Sequence, residues 1–269
     1  VSKPPARPVA DKALAKLAPD FSRRKIRDLI TQGSVFMDGA RIQVASRMVH
    51  TGQELSFRDV PAPVVAPNAE AESWILYRGV DMVVVNKPAG IPVVPTRSEA
   101  LTCLTHVLKN ALGSEIHPVH RIDRPASGLV MLALNPAAMA RLSKRLMAGQ
   151  VMKGYAVRTV GAWEGVHHLD TRLADPKGKQ QEARTSVRGH ATEGRTDCLV
   201  RLHTGRLHQI RRHLALAGHP VEGDDVYGPG IKAFPPAKDL RLHAAFLDFG
   251  EGPLFTPPLW DWRTGVADA

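Results

Sequence analysis

Apolar residues follow two spacings along this chain, one typical of helices and one typical of strands. Ile26, Leu29 and Ile30 recur at helical spacing, whereas residues 82–85 and 128–134 form short, continuous apolar runs of strand length. The two spacings alternate without the regular βαβ repetition of a parallel sheet. The pattern therefore predicts an α+β fold with a mostly antiparallel sheet and interspersed helices.

Capping and turn residues mark the ends of the predicted elements. One helix over residues 101–112 ends at Gly113, and another begins at Asn135 and Pro136, which form a cap and first-turn pair. A third helix is predicted over residues 208–217. The predicted strands cover residues 82–85, 128–134, 155–160, 183–188, 196–203 and 240–249.

The pattern in the N-terminal part of the chain predicts a small module with a helix and a hairpin. Ser22 can cap a helix that runs to Gly33. Residues 35–37 then lead into Asp38 and Gly39, a two-residue turn signal.

Composition divides the chain into four segments. Residues 1–10 are rich in proline and alanine and are expected to form a flexible arm before a module over residues 11–59. Residues 60–72 include a proline-rich stretch and are predicted to be a linker. Residues 73–269 form the predicted larger domain, in which the polar residues 162–182 are expected to be rich in loops.

The net charge of the 269-residue chain is +10, which indicates a polyanionic partner. Residues 1–60 alone contain eleven Lys or Arg and six Asp or Glu, so the charge is concentrated in the N-terminal module. Nucleic acid and a membrane surface both fit a basic protein. No apolar run approaches the roughly 18–20 residues of a membrane-spanning helix, and nucleic acid is therefore the favoured partner.

Several classes of site find no support in the sequence. Cys103 and Cys198 are the two cysteines and are far apart, which fits a reducing compartment and gives no zinc framework. The histidines lack an HExxH pattern, Ser127 lacks a GxSxG elbow, and the GxxxxGK[ST] phosphate loop is missing, so no metal or cofactor is predicted. The N-terminus has no apolar segment typical of a signal peptide, and a cytoplasmic location is expected.

One aspartate lies in a setting that suggests chemistry. Asp123 stands between Arg121 and Arg124 in a turn of Pro, Ser and Gly residues, directly before the apolar run 128–134. A nearby opposite charge favours the ionised carboxylate, and loops at strand ends often carry functional groups. The same segment also fits an exposed turn with a surface ion pair.

Four ordered motifs resemble the RluA-type family of RNA pseudouridine synthases. They are VVVNKPAG at residues 83–90, HRIDRPASGL at 120–129, KGY at 153–155, and TGRLHQIRRHL followed by GHPVEGD within 204–224. The stretch SRRKIRDLITQGSVFMDG in the N-terminal module resembles the S4 RNA-binding domain. The resemblance implies a mixed, mostly antiparallel sheet with flanking helices and a central cleft, and an isomerase that acts on uridine in RNA without a cofactor.

The resemblance also assigns roles to individual residues. It makes Asp123 the catalytic carboxylate, Arg211 its ion-pair partner, and Tyr155 a ring that stacks on the uracil or moves a proton. Arg121 is expected to enter the RNA stack where the uridine leaves it, because a guanidinium stacks flat and also bonds phosphate. The other predicted RNA-binding residues are Arg23, Arg24, Arg27, Arg206 and Arg212.

Helix geometry permits a contact between Arg211 and Asp123. In the last predicted helix, Ile210 and Leu214 lie four residues apart and define the buried face. Arg211 lies about 100° round the helix from Ile210, at the edge of that face, whereas Arg212 points nearly opposite, towards solvent. We therefore predict that Arg211 lies within hydrogen-bond distance of Asp123.

Several alternatives stay open at the level of sequence. The target is expected to be large-subunit ribosomal RNA, with transfer RNA as the alternative, and the aspartate either attacks the sugar or takes a proton from it. A non-catalytic RNA-binding assembly factor would share the basic module. A sugar hydrolase would need a second carboxylate near Asp123, for which Glu222 and Asp224 are the candidates. Leu207 replaces the Thr or Ser that is usual in its motif, which leaves the RNA target open.

Overall fold

The chain folds into a small N-terminal module and a larger domain built around a ten-stranded sheet, as described by a computed structural model. The described residues are 9–31, 34–42, 45, 47–57, 68–96, 101–228 and 239–262.

The N-terminal module packs two helices against a small antiparallel sheet. Its elements are α1 (Ala10–Leu17), α2 (Arg23–Thr31), β1 (Val35–Met37), β2 (Ala40–Arg41) and β3 (Leu55–Phe57), with strand order β2-β1-β3. Leu14, Ile26 and Ile30 are fully or almost fully buried in its core, which confirms the apolar face predicted for α2. The Ser22 hydroxyl oxygen accepts a hydrogen bond from the backbone N–H of Lys25, as expected of a helix cap.

The predicted hairpin is also present in this module. Asp38 and Gly39 connect β1 to β2, both with positive φ, as the tight two-residue turn requires. One other prediction for the module needs correction. Val9 forms a β-bridge with Met48 and Ala10 is fully buried, so the predicted arm is wrong at these two positions because they pack into the module. Residues 1–8 and the predicted helix stop at Gly33 lie outside the described residues.

The larger domain contains the remaining helices and strands. They are α3 (Asn68–Ser73), β4 (Ile75–Arg78), β5 (Met82–Lys87), α4 (Leu104–Leu112), β6 (His117–Pro118), β7 (Ser127–Ala133), α5 (Pro136–Met147), β8 (Met152–Val160), β9 (Gly165–Leu169), β10 (Leu173–Ala174), β11 (Gln180–Gln181), β12 (Thr185–Thr192), β13 (Arg195–Leu202), α6 (Gln209–Leu216), β14 (Leu242–Asp248) and β15 (Pro253–Phe255).

The main sheet is mixed and mostly antiparallel, as predicted. Its strand order is β4-β5-β7-β14-β8-β13-β12-β9, with β6 paired to β7 and β15 paired to β14. Strand β14 pairs in parallel with β7 and antiparallel with β8, so it joins the two halves of the sheet. Strands β10 and β11 form a separate two-stranded ribbon.

Helices cover both faces of this sheet. Because successive side chains of a strand point to opposite faces, Val130 and Leu132 of β7 join a core cluster with α4 and α6, whereas Leu129 and Met131 join a second cluster with α5. Helix α5 begins as predicted, with the Asn135 side chain accepting a hydrogen bond from Ala138 N at 2.8 Å. The α4–α6 face is the one that carries the candidate site.

Two segments of the larger domain differ from the prediction. Residues 162–182 contain β9, β10 and β11, and β9 forms the edge of the main sheet. The polar composition that suggested loops reflects an edge strand with solvent on one side. The predicted linker over residues 60–72 is wrong at its end, because α3 begins at Asn68 and Ala71 is fully buried in the core with α4. Residues 60–67 lie outside the described residues.

None of the helices in the described residues has the length and apolar character needed to cross a membrane. Cys103 and Cys198 are both buried free thiols.

Candidate active site

The candidate site is a cavity of about 730 Å³ on the α4–α6 face of the main sheet. Asp123 contributes to its wall from the loop between β6 and β7, with its side chain 20% exposed. Tyr155 from β8 and Arg211 from α6 line the same cavity, together with Arg121, Leu207 and His208. The structure therefore brings together the four residues for which the motifs predicted a place in the cleft.

A buried lysine anchors the loop that carries Asp123. Lys87, at the end of β5, is fully buried, and its Nζ donates hydrogen bonds to the carbonyl oxygens of Pro88, Ile91 and Arg124, at 2.8, 2.8 and 3.2 Å. Burial lowers the pKa of Lys87 to about 7, and the negative charge of Asp123 opposes that shift. Sequence reasoning missed this role, although the NKPAG motif contained its signal.

A glycine lets the strand after this loop approach its parallel neighbour closely. Gly128 has φ +110°, and a Cβ built on it would lie 2.3 Å from the carbonyl oxygen of Ala244 in β14. A side chain there would be strained by both its backbone conformation and its contacts. The glycine of the SGL motif thus fixes where β7 starts relative to β14, five residues after Asp123.

Arg211 contacts Asp123, but a different carboxylate is its closer partner. Its Nη1 lies 3.4 Å from Asp123 Oδ2, which confirms the predicted contact. Its Nε and Nη2 each lie 2.7 Å from an oxygen of Asp224, in a bidentate pair. Burial would lower the pKa of Arg211, yet the hydrogen bonds and charges of the two carboxylates raise it above its ordinary value. The guanidinium therefore stays charged beside Asp123.

Asp224 serves as the anchor of this arginine. Its Oδ1 also accepts hydrogen bonds from the backbone N–H groups of Val226 and Tyr227, both at 3.0 Å. Burial would raise the pKa of Asp224, but these hydrogen bonds and the Arg211 charge lower it instead. Sequence reasoning missed this role, since a bidentate partner thirteen residues further along the chain cannot be read from helix geometry.

The contacts of Asp224 argue against the alternative of a sugar hydrolase. Such an enzyme needs a second carboxyl group beside Asp123 that is free to act as an acid or a base. The oxygens of Asp224 already accept hydrogen bonds from four N–H donors, so this carboxylate is poorly placed to exchange protons. Neither Asp224 nor Glu222 is among the described residues that line the cavity. The geometry thus disfavours a two-carboxylate mechanism.

Tyr155 lies buried in the core cluster, at the floor of the cavity. Burial raises the pKa of its hydroxyl, and the negative charge of Asp123 raises it further. The phenol therefore remains protonated at neutral pH and is able to donate a proton or a hydrogen bond.

His208 completes the surroundings of Asp123. It adopts a left-handed conformation (φ +50°) at the start of α6, and its Nε2 lies 3.9 Å from Asp123 Oδ1. Its Nδ1 lies 3.0 Å from the hydroxyl of Tyr227, whose ring packs 5.1 Å from the Arg211 guanidinium. The His208 ring therefore links the surroundings of Asp123 to Tyr227, a residue that was not identified from the sequence.

The arginines predicted to bind RNA in the larger domain have different surroundings. Arg121 is exposed on the cavity wall, and Arg206 is exposed with its Nε donating to the carbonyl of Glu182 at 2.8 Å. Arg212 is only partly exposed, and its Nη1 donates to the carbonyl of Ala174 at 2.9 Å. The prediction that Arg212 points towards solvent holds only in part, because the hydrogen bond to Ala174 ties its guanidinium to β10.

Two of the three arginines predicted to bind RNA in the N-terminal module share a buried carboxylate. Arg23 and Arg27 pair with Asp11 at 3.0 and 2.8 Å, and both arginines remain about half exposed. Burial would raise the pKa of Asp11, but the hydrogen bonds and charges of the two arginines lower it. Arg24 is exposed on the same helix. The pairs with Asp11 fix the direction of the two guanidinium groups.

In the described residues, no group of three or more His, Cys, Asp or Glu side chains is placed to hold a metal ion.

The Asp224 contacts predict a specific dependence of stability on pH. Because the folded-state pKa of Asp224 lies below its ordinary value of 3.8, the unfolded chain binds more protons in acid. The contribution of Asp224 to the free energy of unfolding is therefore complete above the ordinary pKa of 3.8. It is lost as the pH falls through the lower pKa of the folded state. Urea unfolding of the wild type and Asp224→Asn should differ by a constant free energy above about pH 5, and by less below about pH 4. Parallel stability curves down to the acid limit would contradict this.

Comparisons with known proteins agree with this arrangement. Residues 81–216 match the family model of the RNA pseudouridylate synthases, and residues 10–55 match that of the S4 domain. An uncharacterized RNA pseudouridine synthase of Chloroflexus aurantiacus is 34% identical over 93% of this chain and 85% of its own. Ribosomal large subunit pseudouridine synthase D of Yersinia pestis is 31% identical over 81% of this chain and 72% of its own.

A relative with a different named substrate matches over a shorter region. The mitochondrial tRNA pseudouridine(32) synthase of Saccharomyces cerevisiae is 32% identical over 57% of this chain and 36% of its own. Among solved structures, human RNA pseudouridylate synthase domain containing 4 gives a TM-score of 0.58 at 23% identity, covering 71% of this chain and 91% of that chain. At this identity the structural likeness concerns the fold alone.

Proposed function

The chain belongs to the RNA pseudouridylate synthase family, and on that premise we propose that it isomerises uridine in large-subunit ribosomal RNA, with Asp123 as catalytic carboxylate. As a member it is an RNA pseudouridine synthase, an isomerase with RNA as its partner. The observation that carries the catalytic assignment is the position of Asp123 at the cavity wall, 3.4 Å from a guanidinium that stays charged.

The reaction requires an anionic group next to the sugar. The bond from uracil N1 to ribose C1′ breaks, the ring turns, and C5 joins C1′ while its proton is released and N1 gains one. Asp123 either attacks the sugar or takes a proton from it, and both routes require an ionised carboxylate. Arg211 favours that form, and its own orientation is held by Asp224.

Tyr155 and Arg121 have complementary roles in this proposal. Tyr155, buried and protonated beneath the cavity, supports the flipped uracil by stacking and supplies or positions a proton. The Arg121 side chain is exposed at the cavity wall and forms no ion pair or hydrogen bond with the described residues. It is therefore available to fill the space from which the uridine is extruded.

Large-subunit ribosomal RNA is favoured as the target by the extent of the matches. The relative named for the large ribosomal subunit aligns over 81% of this chain, whereas the relative named for transfer RNA aligns over 57%. The S4 domain supplies a second basic surface, which suits a large, structured RNA. Transfer RNA is the alternative substrate.

The target is tested by mapping pseudouridines in total RNA from cells with and without the gene. We expect one or a few sites in large-subunit ribosomal RNA to be lost in the deletion strain and restored by the wild-type gene. Loss confined to transfer RNA would replace the ribosomal target with the alternative. An unchanged map in all RNA classes would overturn the proposal.

A further inference from the structure

A second cavity of about 740 Å³ adjoins the candidate active site. The two cavities share Leu146, Lys153, Leu202, Gly205 and Arg206 in their walls. The second cavity lies at one end of the sheet, where β8 and β12 begin and where β13 and β14 end. A groove therefore continues from Asp123 past Lys153 and Arg206 to this end of the sheet.

The second cavity is strongly basic. Its lining contains four Lys or Arg side chains and one carboxylate, Asp248, whose Oδ1 already accepts a hydrogen bond from the backbone of Gly250. The four cationic residues are Lys153, Arg184, Arg201 and Arg206. Such a lining favours an anionic occupant.

Two of these arginines are held close together by the register of the sheet. Ser186 of β12 lies opposite Arg201 of β13, and the backbone N–H of His203 donates to the carbonyl of Arg184, which extends the same ladder. Arg184 and Arg201 are thus diagonal neighbours on one face, a relationship that places Cα atoms about 7–8 Å apart. His203 lies next to both arginines. Its pKa is lowered mainly by burial, and further by the positive charges of Arg201 and Arg184.

Neither arginine has an anionic partner. The side chains of Arg184 and Arg201 are exposed and form no ion pair with a carboxylate of the described residues. Elsewhere in the domain Arg141, Arg158 and Arg211 each pair with an aspartate. Two neighbouring, unneutralised guanidinium groups repel each other, and a bound phosphate would relieve that repulsion.

We propose that the second cavity binds the phosphate backbone of the RNA strand that carries the target uridine. Arg184 and Arg201 contact phosphates of the nucleotides next to the extruded one, and Lys153 and Arg206 guide the strand between the cavities. The contact is to backbone and not to bases, so it positions the strand without reading its sequence. The inference depends on the proposed function only for the identity of the RNA.

The test compares the double variant Arg184→Ala/Arg201→Ala with a control of equal charge. Arg78→Ala/Arg172→Ala also removes two exposed arginines, and neither of these lines the two cavities. All proteins carry Asp123→Asn, so that binding is measured without turnover. The probe is an unmodified transcript of large-subunit ribosomal RNA, and binding is followed from 50 to 300 mM salt, a range of about sixfold.

We expect the affinity of the Arg184/Arg201 variant to fall about tenfold or more at low salt. Its slope of log K against log salt should decrease by about 1.4, or about 0.7 for each lost phosphate contact on a single strand. With Asp123 intact, the same double substitution should lower kcat/KM mainly through KM. Thermal unfolding, which exposed side chains affect little, establishes that the variant is folded.

The possible outcomes distinguish a failure of the phosphate role of the second cavity from a failure of the proposed RNA target. Unchanged affinity and slope in the folded double variant would overturn the phosphate role of the second cavity. An equal loss in the control pair would also overturn it, since the effect would then reflect net charge. If the wild type fails to isomerise the ribosomal transcript while the binding difference persists, the target is wrong and the second cavity retains its role.

Discussion

Replacement of Asp123 by Asn should reduce the rate of pseudouridine formation by about 10²–10⁴-fold, the range that a positioned acid–base group contributes. The amide keeps the shape of the side chain but has neither the charge nor the basicity that both possible mechanisms require. The Arg211 guanidinium would remain in place, because Asp224 holds it through two 2.7 Å contacts. The measurement is single-turnover conversion of an RNA that contains the mapped target.

Asp225→Asn is a matched control for this variant. Asp225 is also a carboxylate near Arg211, with 3.9 Å between its Oδ1 and Nη2, but its side chain is 90% exposed. Its removal should change the rate less than about threefold, as expected of an exposed ion pair. Binding of RNA by Asp123→Asn should match that of the wild type. Appreciable turnover by folded Asp123→Asn protein would end the assignment of this residue.

Replacement of Arg211 by Met should have the largest effect on stability, lowering the free energy of unfolding by about 3–5 kcal/mol. The Asp224 carboxylate is completely buried and would lose its cation while remaining desolvated. Activity should fall as well, because the positive charge 3.4 Å from Asp123 disappears. Urea unfolding measures the first effect and single-turnover kinetics the second.

A double variant separates these two effects. In Arg211→Met/Asp224→Asn no unpaired charge is left at the buried position 224, and the Asn oxygen is able to accept the hydrogen bonds from Val226 and Tyr227. Most of the lost stability should therefore return. Activity should not return, since Asp123 still lacks its guanidinium. Recovery of activity together with stability would show that Arg211 acts only through the fold.

The sequence predicted most of the site because its chemistry is concentrated in short motifs. Asp123, Tyr155 and Arg211 stand in motifs that resemble those of the RNA pseudouridine synthases, and this resemblance assigned their roles. Geometry added one point, that Arg211 lies at the edge of the Ile210–Leu214 face, from which its side chain can reach into a cleft.

The remaining features depend on long-range contacts that local patterns do not specify. The bidentate pair of Arg211 with Asp224 is set by the loop after α6, whose path follows from burial and from backbone hydrogen bonds. Lys87 is a charged residue in an apolar strand, and its three carbonyl acceptors belong to a loop almost forty residues away as well as to its own turn. Strand β9 was missed because solvent on one side of an edge strand gives it a polar composition.

The central position of β14 has a consequence for how the enzyme is made. Asp123 precedes β7 in one half of the sheet, Arg211 follows β13 in the other, and the strand between the halves is residues 242–248, near the end of the described chain. During synthesis the ribosome must therefore release nearly the whole domain before the halves can join. Pairing of such distant segments raises contact order and slows folding. The nascent chain should remain inactive until that late step. Until then its unpaired strand edges stay exposed, so that chaperones can bind them and the chain can aggregate.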